Sequence, residues 1–516
     1  MIAFSWAEAT WRVRALWLAA ITAALLLTRW PLAPRYLTTF DSVNFALALE
    51  KFDPLYHQPQ PPGYPLFVAL SKMLHWVFPR AEDALLLAGV VGGALAVWLL
   101  WWLGDAMLGA PAGAIAALLL LVSPPFWRGG LIAPVRIFLA TSSVAVALAA
   151  WRAWQGEEPR RWFWTAAILL GLGAGFRPEL LLLLRPLVAA CGLRSRQRPL
   201  SFLVAAGLLA AAVASWLVYL VFAVGGPREY IKLVHGYLID QSEESSPLAG
   251  ASVSGWWGMI RAALEWKGMA VLPWLWALPF VWGRRPQAGW RAVAPFLALW
   301  IAPAVLFHVV LHLGSPGHIL ASLPALCLLG GWVLSRWRRP VWALAAGVSA
   351  LLFFLPPPTE TSQRSSYTAV RSLESGIPPV IDALRELRAR GPVFLIISSQ
   401  SVPWRHFFYY FPDQRFVLLR GSVIGTGEAT DKDAWLIHRR AIETVIPEGE
   451  EIALPGEGRI VLARPAPDDP GLHARLGLRE HGPLLYFDAR PGMRFQLGSY
   501  KFATAPAGVP SATPAR

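Results

Sequence analysis

Apolar runs, each close to the length of a membrane-crossing helix and parted by short polar stretches, fill the first two-thirds of this chain. Leu200–Val224 (LSFLVAAGLLAAAVASWLVYLVFAV) and Arg291–Leu311 are two of them. About 20 predominantly apolar residues carry an α-helix across a hydrocarbon core. The pattern therefore predicts about eleven spans, starting near Ala15, Ala84, Pro111, Leu131, Trp162, Glu179, Leu200, Trp256, Arg291, Gly317 and Pro340. The spans cease at Pro356-Pro357-Pro358, and from Thr359 the pattern becomes one of short apolar runs bounded by Gly and Pro. Val393–Ile397 (VFLII), Arg415–Leu419, Ala434–His438 and Arg459–Ala463 read as strands, with a helix in SVPWRHFFYYF. The expected fold is a polytopic α-helical membrane protein of about eleven transmembrane helices with a C-terminal extracytoplasmic α/β domain. Residues 1–356 form the membrane domain, 357–504 the external domain and 505–516 a disordered Pro/Ala tail. Neither an internal repeat nor a nucleotide-binding glycine motif is visible.

Composition agrees with this class: 55% of the 516 residues are hydrophobic, 15% are charged, and the mean hydropathy is +0.46. A soluble domain carries about a quarter charged residues. The net charge of +14 does not point to nucleic acid, because the basic residues sit in short connections. They cluster at Arg12/Arg14, Arg152 with Arg160/Arg161, Arg194/Arg196/Arg198, Arg284/Arg285 and Arg336/Arg338/Arg339. These are alternate loops on the eleven-span count, and cytoplasmic loops are the ones enriched in Lys and Arg. The N-terminus is then cytoplasmic, with residues 32–83, 225–255 and everything beyond Pro356 outside. The first span lacks a clean small-x-small cleavage site and reads as an uncleaved anchor. Cys191 and Cys327 fall at a span end and within a span, so neither a disulfide nor a cysteine metal framework is expected. An Arg-rich, Lys-poor chain of this kind fits a bacterial inner membrane.

Two of the outer loops are long, 32–83 and 225–255, and each holds an amphipathic segment suited to the membrane surface. The stretch TTFDSVNFALALEKFDPLYHQPQPPGYPLF (Thr38 to Phe67) is the richest in polar groups. It carries Asp41, Asp53, His57 and the rigid turn Pro61-Pro62-Gly63-Tyr64-Pro65. The shorter outer connections contribute Arg128, Arg136, Arg177, Glu179, His312 and His318.

A first span, an aspartate just inside the first outer loop, a surface helix, and His57 followed by PPGYPLF together resemble the GT-C superfamily of membrane glycosyltransferases. The pattern is similar to its protein O-mannosyltransferase-like and aminoarabinose-transferase-like branches. The motif-like part is residues 38–70. It departs from the aminoarabinose-type pattern in having Asn44 near the place of a second carboxylate, and Gln58-Pro59-Gln60 between His57 and the prolines. The resemblance implies a hexosyl- or pentosyltransferase. It would move a sugar from a polyprenyl-phosphate donor to a protein, lipid or glycan acceptor on the outer face, among membrane lipids and without nucleic acid. Asp41 would be the base that takes the acceptor's proton. Arg128, Arg136, Arg177, His312 and His318 would supply fixed positive charge to the departing phosphate.

Each residue also has a plainer reading from its position. Asp41 opens a helix and can serve as its N-cap. On a continuous helix Asp53 lies about 18 Å further along the axis, which argues against a carboxylate pair; next to Pro54 it reads as a turn residue. His57 either binds substrate or bonds a loop carbonyl, and Tyr64 either shapes the turn or touches sugar. Arg177 and Glu179, flanking Pro178, form either an ion pair or part of a site, since ionisable groups at membrane depth tend to be functional. Arg128 can snorkel to headgroups. His308, His312 and His318 leave a divalent metal conceivable, though no carboxylate stands near them in sequence. From another class, a transporter or lipid flippase fits the hydropathy but not the lack of repeats.

Overall fold

The computed structural model describes residues 10–242, 246–282, 290–310, 316–337, 339–355, 365–398, 404–420, 433–463 and 470–506. The chain divides into two compact units, residues 1–35 with 44–371, and residues 36–43 with 372–516. The sequence places its break at Pro356–Pro358. The structural division falls at Arg371 and Ser372, and it assigns the short segment Tyr36–Val43 to the second unit.

The first unit is helical. Trp11–Arg29 is followed, within the first long loop, by Phe40–Glu50 and Pro65–His75. Ala81–Leu108, Ala110–Val122, Pro124–Ile132, Ile137–Gln155, Pro159–Phe176, Leu180–Arg194 and Pro199–Ala223 come next. Pro227–Ser242 occupies the second long loop, and Val253–Leu275, the short Pro279–Trp282, Trp290–Val310, Leu323–Leu334 and Arg339–Phe354 follow. Proline stands in the first turn of several of these helices, where its missing N–H is no loss and its φ suits the helix. Among the described residues, five helices are long and apolar enough to cross a membrane. They become six if Ala110–Val122 and Pro124–Ile132, bent by 49° at Ser123, count as one span. The other expected spans coincide with helices that are shorter or carry more polar side chains. The chain is an integral membrane protein, and both cysteines are free and buried.

Small residues let these helices meet closely. A Cβ on Gly331 would lie 2.3 Å from the Ala112 carbonyl oxygen. One on Gly113 would lie 2.7 Å from that of Trp101. Around this contact the core is filled by Leu100, Phe126, Trp151, Phe296 and Trp300.

The second unit contains a mixed seven-stranded sheet of order β4-β3-β2-β1-β6-β8-β7 and a three-stranded sheet of order β5-β10-β9. The strands are β1 (Val393–Ser398), β2 (Phe416–Leu419), β3 (Ala434–His438), β4 (Ala441–Ile446), β5 (Glu451–Leu454), β6 (Arg459–Ala463), β7 (Arg479–His481), β8 (Leu484–Asp488), β9 (Arg494–Leu497) and β10 (Tyr500–Thr504). β1 lies between β2 and β6, parallel to both. The four strands read from the sequence are β1, β2, β3 and β6, and the expected helix is Trp404–Tyr410. Most of the other strands lack an apolar run, though β8 (LLYFD) carries one. β4 is exposed along almost its whole length. Its hairpin with β3 turns on Arg439 and Arg440 at φ 47° and 59°, a two-residue turn usually signalled by Asn-Gly.

Candidate active site

The helix carrying Asp41 is capped without it. Thr39 Oγ1 accepts the Ser42 N–H at 3.1 Å, and Ser42 Oγ accepts the Thr39 N–H at 3.0 Å, a reciprocal capping box. Asp41 is the second residue of the helix Phe40–Glu50, partly exposed. The capping role open to it from sequence is thus filled by its neighbours. One turn on, Asn44 is fully buried, and its amide has no hydrogen-bond partner among the described residues.

Asp53 is a turn residue. Its backbone exchanges hydrogen bonds with Gln58, and its carboxylate pairs with Lys51 Nζ at 2.8 Å. The turn Pro54–Tyr56 ends at His57 in the left-handed region, φ 54°. The His57 ring lies 6.2 Å from that of Tyr237, on the helix Pro227–Ser242 of the second long loop. Tyr230 of the same helix donates to the Pro62 carbonyl at 3.4 Å. The peptide bonds Gln58–Pro59 and Pro61–Pro62 are cis. Gly63 has φ +106°, and a Cβ there would lie 2.6 Å from Leu220 Cδ1, so the turn needs glycine for both conformation and room. It delivers Tyr64, 7% exposed, beneath the Arg177 guanidinium at 5.1 Å from the ring centre.

Arg177 follows the helix Pro159–Phe176, and Glu179 precedes Leu180–Arg194. Arg177 Nε donates to Glu179 Oε1 at 2.9 Å, and its Nη2 donates to the same oxygen. From the opposite side of the sequence His318 brings Nδ1 to 3.1 Å from that oxygen. His318 is buried and lies in the 3₁₀ turn Pro316–Ala321 against the Phe307 ring. The adjoining Gly317 faces Arg136: a Cβ would sit 2.8 Å from Arg136 Cδ and Nη1. The Arg136 charge acts in turn on His318 and on Arg128. Arg128 is 7% exposed and stacks over the Trp266 ring at 5.1 Å, so it does not snorkel to headgroups.

The structure thus links Tyr64, Arg177, Glu179, His318, Arg136 and Arg128 in one largely buried chain of contacts and fields. His57 joins it through Tyr237, whose hydroxyl also acts on Arg177. Three guanidinium groups thus stand along this chain of contacts, and one of them, Arg177, pairs with Glu179. Such a site suits a phosphate whose charge rises during reaction. Asp53 does not join it, and His312 lies outside the described residues. Among the described residues no three His, Cys, Asp or Glu come together as metal ligands. Sequence reasoning missed Tyr237, Gly317 and Arg29. Arg29 is 2% exposed, donating to the Leu121 carbonyl at 2.6 Å and stacking on Trp127, a tie between helices. Only its charge inside an apolar run could have flagged it.

Comparison with known proteins adds two likenesses. Residues 59–223 match the dolichyl-phosphate-mannose-protein mannosyltransferase family. Among solved structures, ArnT from Cupriavidus metallidurans bound to undecaprenyl phosphate is similar with a TM-score of 0.59 at 13% identity. That match covers 93% of this chain and 98% of the other. The same protein in its apo state gives 0.57 at 14% identity, covering 92% and 97%. The oligosaccharyltransferase AglB from Archaeoglobus fulgidus, in complex with an inhibitory peptide and a dolichol-phosphate, gives 0.40 at 13%, covering 79% of this chain and 64% of that one. No curated protein matches by sequence. The likeness to GT-C membrane glycosyltransferases is therefore borne out, by the family match over residues 59–223 and by the ArnT-like fold over most of the chain.

Proposed function

We propose that this chain is a glycosyltransferase that moves a sugar from a polyprenyl-phosphate carrier to an acceptor on the outer face of a bacterial inner membrane. About eleven spans and an extracytoplasmic C-terminal domain belong to this reading. The observation that carries it is the cluster of Arg128, Arg136, Arg177, Glu179 and His318, of which Arg128, Arg177 and His318 are buried. The binding of undecaprenyl phosphate by the similarly folded ArnT supports a lipid phosphate as its ligand.

In the proposed reaction Asp41 takes the proton from an acceptor hydroxyl. That oxygen forms a bond to the anomeric carbon as the bond from this carbon to the carrier phosphate breaks. The electron pair leaves with the phosphate, which passes from a singly charged diester to a monoester of higher charge. A positive site then binds the transition state more tightly than the ground state, the condition for catalysis. Arg136 and Arg128 are the proposed phosphate ligands. The Arg177–Glu179 pair instead orients His318 and Tyr64.

The test is sugar transfer in vesicles supplied with a panel of polyprenyl-phosphate sugars, comparing wild type with Asp41→Asn and Arg136→Met. Transfer by wild type that collapses in both folded variants supports the reading. Carrier movement across the bilayer without any sugar transfer would replace it with a flippase.

A further inference from the structure

The segment that leads into Asp41 is held by the C-terminal domain. Leu37 donates its N–H to Tyr410 Oη at 2.9 Å, and its carbonyl accepts from His406 Nε2 at 2.7 Å. A carbonyl oxygen can only accept, so Nε2 of His406 carries a proton. His406 and Tyr410 stand four residues apart on the helix Trp404–Tyr410 and so share one face. Between them they satisfy both backbone groups of one residue, as a neighbouring strand would.

Other contacts repeat the grip. The Tyr36 ring meets that of Tyr410 edge-on at 5.4 Å. Phe40, the residue before Asp41, lies 6.0 Å from Trp404 and 5.6 Å from the Arg405 guanidinium. His406 is fully buried, and Arg405 is 6% exposed. The helix is itself anchored to the sheet. Arg440, in the turn between β3 and β4, donates Nε to the Phe408 carbonyl at 3.2 Å and Nη2 to that of Tyr409 at 2.9 Å. A continuous line of contacts runs from the sheet through Arg440 and the helix to Leu37 and Phe40, and then into the capping box that starts the Asp41 helix.

Resting on the reading of Asp41 as base, we infer that His406, Tyr410 and Arg405 are positioning residues for the transfer reaction, holding through Leu37 and Phe40 the segment that presents Asp41. A base is effective only in a narrow range of geometries, and displacement by about 1 Å is enough to lose a hundredfold in rate. The C-terminal domain then has a part in the chemical step besides any part in acceptor binding.

The experiment compares Tyr410→Phe, His406→Leu, His406→Gln and Asp41→Asn in the full-length protein in vesicles. It reads kcat, donor KM, thermal midpoint and hydrogen exchange of peptides covering residues 36–43. Tyr410→Phe keeps the ring and removes the acceptor for Leu37. It is expected to lower kcat by about tenfold to a hundredfold, with donor KM and midpoint near wild type and faster exchange in the segment. His406→Leu is expected to do the same, and His406→Gln, whose amide N–H replaces Nε2, to regain most of the rate. Wild-type turnover by Asp41→Asn overturns the base and the positioning role together. Loss there, with wild-type kcat in Tyr410→Phe and His406→Leu, overturns the positioning role alone. So does a lowered kcat that follows the midpoint and is not rescued by His406→Gln.

Discussion

Removing the Glu179 carboxylate tests the cluster most directly. The Arg177 and Glu179 side chains are 5% and 11% exposed, so neither charge has much water to fall back on. Two unit charges at about 4 Å attract by about 4 kcal/mol at an effective dielectric constant near 20. Truncating one member of such a pair costs about 3–5 kcal/mol, because the other is left buried without its counter-charge. Glu179→Leu is therefore expected to destabilise the protein by about 3–5 kcal/mol. Arg177→Met/Glu179→Leu, which removes both charges at similar volume, is expected to lie closer to wild type than Glu179→Leu alone. SDS titration in mixed micelles over wild type, both single variants and the double gives the coupling energy. Sugar transfer by the double variant should stay low even where stability returns, because His318 and Tyr64 lose their common support. A coupling below about 0.5 kcal/mol, within the scatter of independent sites, would refute the claim that this pair organises the cluster.

The remaining predictions separate stability from chemistry. Gly317→Ala places a Cβ 2.8 Å from Arg136 Cδ and Nη1, atoms of a flexible side chain that can give way. Its thermal midpoint should barely move, while kcat falls toward that of Arg136→Met, which should lose on the order of 10²–10³. Gly63→Ala combines a positive φ with a 2.6 Å approach to Leu220 Cδ1, and a loss of about 1–3 kcal/mol is expected in the same titration.

Hydropathy by itself determined where most helices lie, because a span must bury about 20 consecutive residues in hydrocarbon and that demand is written locally. Buried strands such as β1 and β6 were legible for the same reason, as short unbroken apolar runs. Exposed β4, turned on two arginines, was not, since its pairing rests on backbone hydrogen bonds that leave no apolar trace. At the site, the sequence marked Asp41, Tyr64, Arg128, Arg136, Arg177, Glu179 and His318 as out of place in an apolar chain. It left their roles open. Tertiary structure decided that Thr39 and Ser42 rather than Asp41 cap the helix, and that Asp53 is occupied by Lys51. It also decided that His318 shares one carboxylate oxygen with Arg177, and that Leu37 is held by a helix 369 positions away in the chain. A local pattern reports what a residue costs to bury. Which partner offsets that cost depends on packing between segments far apart in the chain, and only the folded structure settles it.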